Sequence, residues 1–175
     1  MKTTHERKGI VTMMGTPLTL IGHEVNVGDP APDFVAIDNN LAPFTFSSLL
    51  DNIVIISSVP SLDTPVCNLE TQRFNEEAIK LGSDIHILTV SMDLPFAQKR
   101  WCGDHGVTSV KTVSDHRDAS FGLSYGVLIK ETRLLARAVF VVDKRGDIKH
   151  IEIVDDLSHE PKYEVVLETA RRLGR

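Results

Sequence analysis

Two continuous apolar runs rich in β-branched residues dominate the hydrophobic pattern of the chain. They cover residues 53–59 and 85–92, and such runs are typical of central strands that are covered on both faces. Between them, residues 65–81 have the length and the mixed polarity of a helix. A strand, a helix and a second strand in this order predict a βαβ unit with two parallel strands.

Shorter patterns surround this unit. Apolar residues on both sides of Gly15-Thr16 predict an N-terminal hairpin over residues 10–21, and residues 138–154 predict a second hairpin. Further predicted elements are short peripheral segments before residue 46, a helix over 96–103, a strand over 107–113 and a last helix over 161–173. A parallel βαβ unit followed by a hairpin and a helix predicts an α/β, thioredoxin-like fold, in which helices flank a central mixed sheet.

Composition narrows the functional classes. The chain has 175 residues, 42% of them hydrophobic, and this length favours one domain over residues 1–175, with residues 1–8 as a flexible N-terminal extension. The formal charge of −5, from 19 Lys and Arg against 24 Asp and Glu, argues against a nucleic-acid partner or a membrane-surface role.

The chain shows neither a membrane anchor nor a secretion signal. No run approaches the roughly 18 apolar residues of a membrane span. The moderately apolar residues 9–22 are interrupted by Gly15, Thr16 and Pro17, and they lack a small-residue cleavage site. We therefore expect a cytoplasmic protein.

The segment that follows the first central strand carries the strongest chemical signal. Thr64 suits the N-cap of the predicted helix and Pro65 suits its first position, which places Cys67 third. Unpaired N–H groups and the helix dipole favour an anion there, so Cys67 is the candidate nucleophile. A buried structural cysteine is the alternative, because unbonded cysteines are among the most often buried residues.

The second cysteine, Cys102, lies 35 positions further on, and this spacing excludes a C-x-x-C redox pair. Cys102, His105 and His116 have spacings that zinc ligands can have, but structural zinc sites usually take four ligands in paired motifs. A reversible disulfide between the two cysteines is the simpler hypothesis, and we expect neither a metal nor another cofactor. Because both cysteines are predicted on separate helices, local unfolding would accompany bond formation.

Three blocks of the sequence resemble one family. Pro60-x-x-x-Thr64-x-x-Cys67 matches the active-site motif of the peroxiredoxins. The blocks that resemble the bacterial thiol peroxidases, which are atypical two-cysteine peroxiredoxins, are Ser61-Leu62-Asp63-Thr64-Pro65-Val66-Cys67, Asp93-Leu94-Pro95-Phe96-Ala97-Gln98-Lys99-Arg100-Trp101-Cys102 and Leu134-Leu135-Ala136-Arg137-Ala138-Val139. The resemblance extends over nearly the whole chain.

The resemblance implies a mechanism. Cys67 would be the peroxidatic cysteine, which hydrogen peroxide or an organic hydroperoxide oxidises to a sulfenic acid. Cys102 would be the resolving cysteine, which forms an intramolecular disulfide that thioredoxin reduces. Thr64 would bond to the thiolate and the peroxide, Arg137 would polarise the site, and Pro60 and Val66 would line the substrate pocket. The resemblance also implies a homodimer.

Two points stay open at this stage. Arg133 lies four residues before Arg137, and we prefer Arg137 because it directly precedes the apolar strand predicted from residue 138. A peroxide-sensing redox switch that acts through a partner is the alternative function, since a sensor needs only the reactive thiol and its partner cysteine. A thioredoxin-like disulfide oxidoreductase is disfavoured by the missing C-x-x-C pair.

Overall fold

The computed structural model describes residues 5–175, which form ten strands and four α-helices. The strands are β1 (Glu6–Met13), β2 (Thr16–Ile21), β3 (Val35–Ile37), β4 (Pro43–Thr45), β5 (Ile53–Ser58), β6 (Ile85–Ser91), β7 (Lys111–Ser114), β8 (Leu128–Ile129), β9 (Ala138–Val142) and β10 (Ile148–Ile153). The helices are α1 (Pro65–Lys80), α2 (Pro95–His105), α3 (Ser120–Ser124) and α4 (Tyr163–Leu173). Within residues 5–175, none of the helices combines the length and the apolarity needed to cross a membrane.

Seven of the strands form a central sheet in the order β10-β9-β5-β6-β7-β3-β4. β5, β6 and β7 run parallel, whereas β9 runs antiparallel to β5, so the sheet is mixed. The predicted α/β fold is confirmed, because β5, α1 and β6 form the predicted βαβ unit and β9 and β10 form the second hairpin.

β5 is buried along its whole length because both faces of the sheet are covered. Successive side chains of a strand point to opposite faces. Ile55 accordingly packs in the cluster that contains Phe74 of α1 and Val166 of α4, while Ile56 packs in the cluster that contains Phe121 of α3. The cluster beneath α1 includes Cys67, so the candidate nucleophile lies at the edge of a well-packed core.

The N-terminal hairpin is present as predicted, with β1 and β2 joined at Met14 and Gly15 and β8 added as a third strand. The expected flexible extension over residues 1–8 is wrong for residues 6–8, because β1 already begins at Glu6 and Arg7 donates a hydrogen bond to the carbonyl of Gly126. Residues 1–4 of that extension lie outside the described part of the chain.

The hairpin is fastened to the segment that follows β10. The backbone N–H of Thr12 donates to the carbonyl of Asp155, and the N–H of Leu157 donates back to the carbonyl of Thr12, both at 2.9 Å. The carboxylate of Asp156 accepts hydrogen bonds from the Thr12 hydroxyl and from the N–H of Gly15. These bonds fix the backbone around Leu157, which contributes to the site described below.

Two local elements differ from the sequence prediction. The strand predicted over residues 107–113 begins only at Lys111, because Val107 and Val110 bury their side chains from a loop rather than from a paired strand. The short helix α3 was not predicted. Its first N–H groups are bonded by a side chain outside the helix, the buried carboxylate of Asp115, which accepts from Phe121 and Gly122.

Candidate active site

The start of α1 has the predicted geometry. Thr64 is the N-cap in an extended conformation, Pro65 occupies the first helical position, and the Thr64 hydroxyl accepts the backbone N–H of Cys67 at 3.4 Å. The prediction that Cys67 occupies the third position of the helix is therefore confirmed. The N-terminal end of the helix carries partial positive charge and unpaired N–H groups. It lies beside the sulfur and favours negative charge there.

Arg137 lies against this sulfur. Its side chain is 1% exposed, and its Nη2 donates to Cys67 Sγ at 3.2 Å and to the carbonyl of Leu157 at 2.8 Å. The topology explains the contact, because Arg137 directly precedes β9 and Ala138 pairs with Ser58 at the carboxyl end of β5. The helix start and the arginine thus meet at the same end of the central strand.

A buried carboxylate holds the arginine from the other side. Glu70 is 0% exposed, and its Oε2 accepts from Arg137 Nη1 at 2.6 Å while its Oε1 accepts from the Ser57 hydroxyl at 2.8 Å. Burial raises the pKa of Glu70 to about 7, although Arg137 and Ser57 both favour the ionised form. Glu70 is a site residue that the sequence reasoning did not identify.

The sequence did contain a signal for Glu70. It follows Cys67 by three positions, so the two side chains lie on one face of α1. A carboxylate on the apolar face of a helix is expected to have a buried partner, because an unpaired buried charge is costly. On sequence grounds alone, this face is only an imperfect amphipathic stripe.

The guanidinium of Arg137 lies between the carboxylate of Glu70 and the sulfur of Cys67. Burial acts to lower the pKa of Arg137, but the charges of Glu70 and Cys67 outweigh it, so the pKa is raised and the guanidinium stays charged. A fixed, buried cation with hydrogen-bond donors can stabilise a thiolate and negative charge that develops on a bound oxygen.

The remaining predicted residues lie in the segment that precedes Cys67. Pro60 is buried just after β5, whereas Thr64 and Val66 are half-buried on either side of the helix start. Cys67 itself is fully buried. Arg133 is exposed in the turn before Arg137 and does not belong to the site.

Cys102 does not meet Cys67, and both thiols are unbonded. Cys102 lies near the end of α2, half-buried, with its Sγ 3.5 Å from the Thr112 hydroxyl, which in turn donates to the Asn39 side chain at 3.1 Å. Burial raises the pKa of the Cys102 thiol. Cys102 and Ala78 border one cavity of about 500 Å³. Ala78 lies about 16 Å along α1 from Cys67 at 1.5 Å per residue.

The residues considered for zinc are not assembled around one point. The ring of His105 stacks on Trp101, and its Nδ1 lies 2.9 Å from the Trp101 carbonyl. His116 instead contacts the Ser114 hydroxyl at 2.8 Å. Over residues 5–175, no three His, Cys, Asp or Glu side chains are grouped as metal ligands.

Comparisons with known proteins identify relatives of the chain. Residues 26–167 match the Redoxin family. The chain is 51% identical over 163 residues to the thiol peroxidase of Bacillus subtilis (strain 168), which covers 93% of this chain and 97% of that protein. It is 48% identical over 162 residues to the thiol peroxidase of Listeria innocua serovar 6a, which covers 93% of this chain and 98% of that protein.

Solved structures give the same result for the fold. The peroxiredoxin-like protein from Aquifex aeolicus is 39% identical and superposes with a TM-score of 0.89, covering 97% of this chain and 99% of that chain. The thiol peroxidase from Chromobacterium violaceum, at 19% identity, shares the fold with a TM-score of 0.82, covering 93% of this chain and 95% of that chain. Because the sequence relatives extend over almost their full lengths, the chain belongs to the Redoxin family and, within it, to the thiol peroxidases.

Proposed function

We propose that Cys67 is the residue with which this thiol-dependent peroxidase attacks its hydroperoxide substrate. The thiolate sulfur bonds to the terminal peroxide oxygen, the O–O bond breaks, and Cys67 becomes a sulfenic acid. The other oxygen leaves as hydroxide or alkoxide and takes a proton from solvent to give water or an alcohol. The observation that carries this proposal is the Arg137 guanidinium, which bonds to the sulfur at 3.2 Å and is itself held by the buried Glu70.

Arg137 and Thr64 do more in this proposal than stabilise a thiolate. Converting a thiol to thiolate raises the number of reactive molecules, but a less basic thiolate is also a weaker nucleophile. A fast reaction therefore needs the peroxide to be aligned and the charge on the breaking O–O bond to be stabilised. The guanidinium, the Thr64 hydroxyl and the first N–H groups of α1 supply donors for that purpose, with Pro60 and Val66 forming the walls of the pocket.

Cys102 resolves the sulfenic acid in the second step. Its sulfur attacks the Cys67 sulfur, a disulfide forms, and water leaves. Cys102 is hydrogen-bonded to Thr112 and lies in α2, whereas Cys67 lies in α1. The end of α2 must therefore unfold before the two sulfurs can meet. Unfolding also takes Cys102 away from the burial that raises its pKa, so the thiolate needed for attack becomes accessible.

A dithiol protein of the thioredoxin type is the proposed reductant. A disulfide held in an unfolded segment is exposed, and a partner thiolate can attack it directly. We propose a cytoplasmic location, where cysteine thiols are kept reduced. We also propose that the whole chain acts as a single domain within a homodimer, for which the exposed Leu94 and Phe96 supply apolar surface.

The experiment that tests the proposal follows NADPH consumption with thioredoxin, thioredoxin reductase and either hydrogen peroxide or an alkyl hydroperoxide. Wild-type protein is compared with Cys67→Ser and Cys102→Ser. Turnover should disappear in both variants, and Cys102→Ser alone should still consume about one peroxide per chain. If wild type is oxidised once without turnover, the protein is a redox switch or uses another reductant, and the thioredoxin-dependent cycle is wrong.

A further inference from the structure

The side chain of Asp93, between β6 and α2, accepts three hydrogen bonds, and the mechanism above does not use this residue. Its Oδ1 accepts the Ser61 hydroxyl at 2.7 Å. Its Oδ2 accepts the backbone N–H of Leu62 at 2.9 Å and the Ser91 hydroxyl at 2.7 Å. The side chain thus joins the loop that precedes Cys67 to the end of β6.

On the Cys67 side, the contacts continue to the reactive sulfur. The carbonyl of Ser61 accepts both the backbone N–H and the hydroxyl of Thr64, each at 3.2 Å. The same Thr64 hydroxyl accepts the N–H of Cys67. Asp93 therefore fixes Ser61, Ser61 fixes Thr64, and Thr64 caps the helix that presents the thiol.

On the Cys102 side, the same cluster holds α2 to the sheet. Gln98 is fully buried, and its Nε2 donates to the Ser91 hydroxyl and to the carbonyl of Val113, both at 2.9 Å. Gln98 precedes Cys102 by one helical turn. The backbone carbonyl of Asp93 is itself held by the Ser114 hydroxyl at 2.5 Å.

We infer that Asp93 is a positioning residue for both steps of the reaction. For the peroxide step, Asp93 holds the Ser61–Thr64 loop in place. For the disulfide step, it anchors the N-terminal end of α2 while the C-terminal end, which carries Cys102, unfolds. The inference rests on the proposed function, because it assigns Asp93 to steps carried by Cys67 and Cys102. No covalent chemistry is assigned to Asp93, which acts through hydrogen bonds alone.

The two arms of this cluster can be separated by mutation. Ser61→Ala removes the hydroxyl that donates to Asp93 and accepts the N–H of Asp63, while the carbonyl that accepts from Thr64 stays. Because the loop before Cys67 then loses its tie to Asp93, the peroxide step should slow about tenfold through misalignment and the disulfide step should stay unchanged. Gln98→Leu removes only the bonds that hold α2, so it should speed disulfide formation about fivefold and leave the peroxide step unchanged. Asp93→Ala should produce both changes at once, with opposite signs.

Trp101, the only tryptophan in the chain and the neighbour of Cys102, reports both steps by stopped-flow fluorescence. The rate of the first phase depends on peroxide concentration, and the rate of the second phase does not. Asp93→Asn is the conservative control, because an amide can accept from Leu62 and Ser91 and donate to Ser61. We expect its two rates to stay within about threefold of wild type.

The outcomes separate the inference from the function beneath it. The inference is supported if Asp93→Ala slows the first phase and speeds the second, and if Asp93→Asn keeps both rates near those of wild type. Unchanged rates in Asp93→Ala, or both rates lowered together, overturn it. If Asp93→Ala does not fold, a slower first phase in Ser61→Ala and a faster second phase in Gln98→Leu support the inference, and either variant changing both phases overturns it. Should Cys67→Ser retain the first phase, or Cys102→Ser the second, the proposed function fails instead.

Discussion

Cys67 and Cys102 lie near opposite ends of their helices, and their surroundings differ in charge as well as in burial. Cys67 is fully buried in the first turn of α1, where Arg137 donates to its sulfur. Cys102 is half-buried in the last turns of α2, beside the neutral hydroxyl of Thr112. A helix start favours negative charge and a helix end disfavours it. The sulfur of Cys67 thus lies beside positive charge, whereas burial raises the pKa of the Cys102 thiol.

Arg137→Ala tests this difference most severely. We expect the rate of Cys67 oxidation to fall by about a hundredfold or more, since a preorganised donor to developing charge is lost. The thiolate fraction of Cys67, read from the absorbance near 240 nm, should account for only part of the loss. The matched control is Arg133→Ala, which removes an exposed arginine from the same loop. If the rate simply followed the thiolate fraction, alignment by Arg137 would play no part.

Glu70→Gln tests the buried pair of Glu70 and Arg137 through the pH dependence of protein stability. The pKa of Glu70 is raised from 4.5 to about 7, so the folded protein keeps a proton that the unfolded chain loses. Its contribution to the free energy of unfolding is therefore largest below pH 4.5. It decreases by about 3 kcal/mol as the pH rises from 4.5 to 7.

Urea denaturation at pH 5 and pH 7.5 measures this effect. Wild-type protein should lose stability between the two values, and Glu70→Gln should lose less because its amide does not titrate. Glu77→Gln is the control, since Glu77 also lies on α1 but pairs with Arg73, Lys80 and Arg171. Equal pH dependence in wild type and Glu70→Gln would contradict the assignment.

Two glycines at the C-terminal end of α2 provide the mildest test, which concerns the surroundings of Cys102. Gly106 directly follows the helix. Gly103 lies inside the helix, and an added Cβ there meets no atom within 4 Å. Gly103→Ala should stabilise α2 by about 1 kcal/mol and slow disulfide formation about fivefold. Gly106 ends the helix with a φ of 64°, so Gly106→Ala should strain the folded end and speed the same step.

The second phase of Trp101 fluorescence measures both variants. Neither substitution touches Cys67, so the peroxide-dependent phase should keep the wild-type rate in each. Equal rates of disulfide formation in all three proteins would mean that α2 does not unfold before the sulfurs meet.

Much of the fold and of the candidate site was predictable because short sequence patterns agree with the elements that the fold contains. Thr64 and Pro65 predict the helix start from adjacent residues, and the apolar run of β5 predicts a strand that is buried on both faces. Arg137 was identified through the resemblance of its sequence block to the thiol peroxidases, and its position before an apolar strand favoured it over Arg133. These features depend on neighbours in the sequence, which a pattern records directly.

The parts that were not predicted depend on distant partners. Glu70 interrupts an apolar face, and only the position of Arg137, 67 residues away, explains why a carboxylate is buried there. Val107 and Val110 resemble strand residues but fill the core from a loop, because packing needs apolar volume and not strand pairing. The hydrogen bonds of Asp93 join three separated segments, and no periodic pattern in the sequence encodes such a cluster.

The fastening of the N-terminal hairpin to the segment around Leu157 has a consequence for biosynthesis. Its bonds join residues that are 141 to 145 positions apart, so they form only after residues 155–157 have been synthesised. Contacts at such separation are also slow to form during folding. Leu157 provides the carbonyl that accepts from Arg137 Nη2, the same atom that donates to Cys67. The full set of hydrogen bonds around Arg137 therefore forms only after residue 157 has been synthesised.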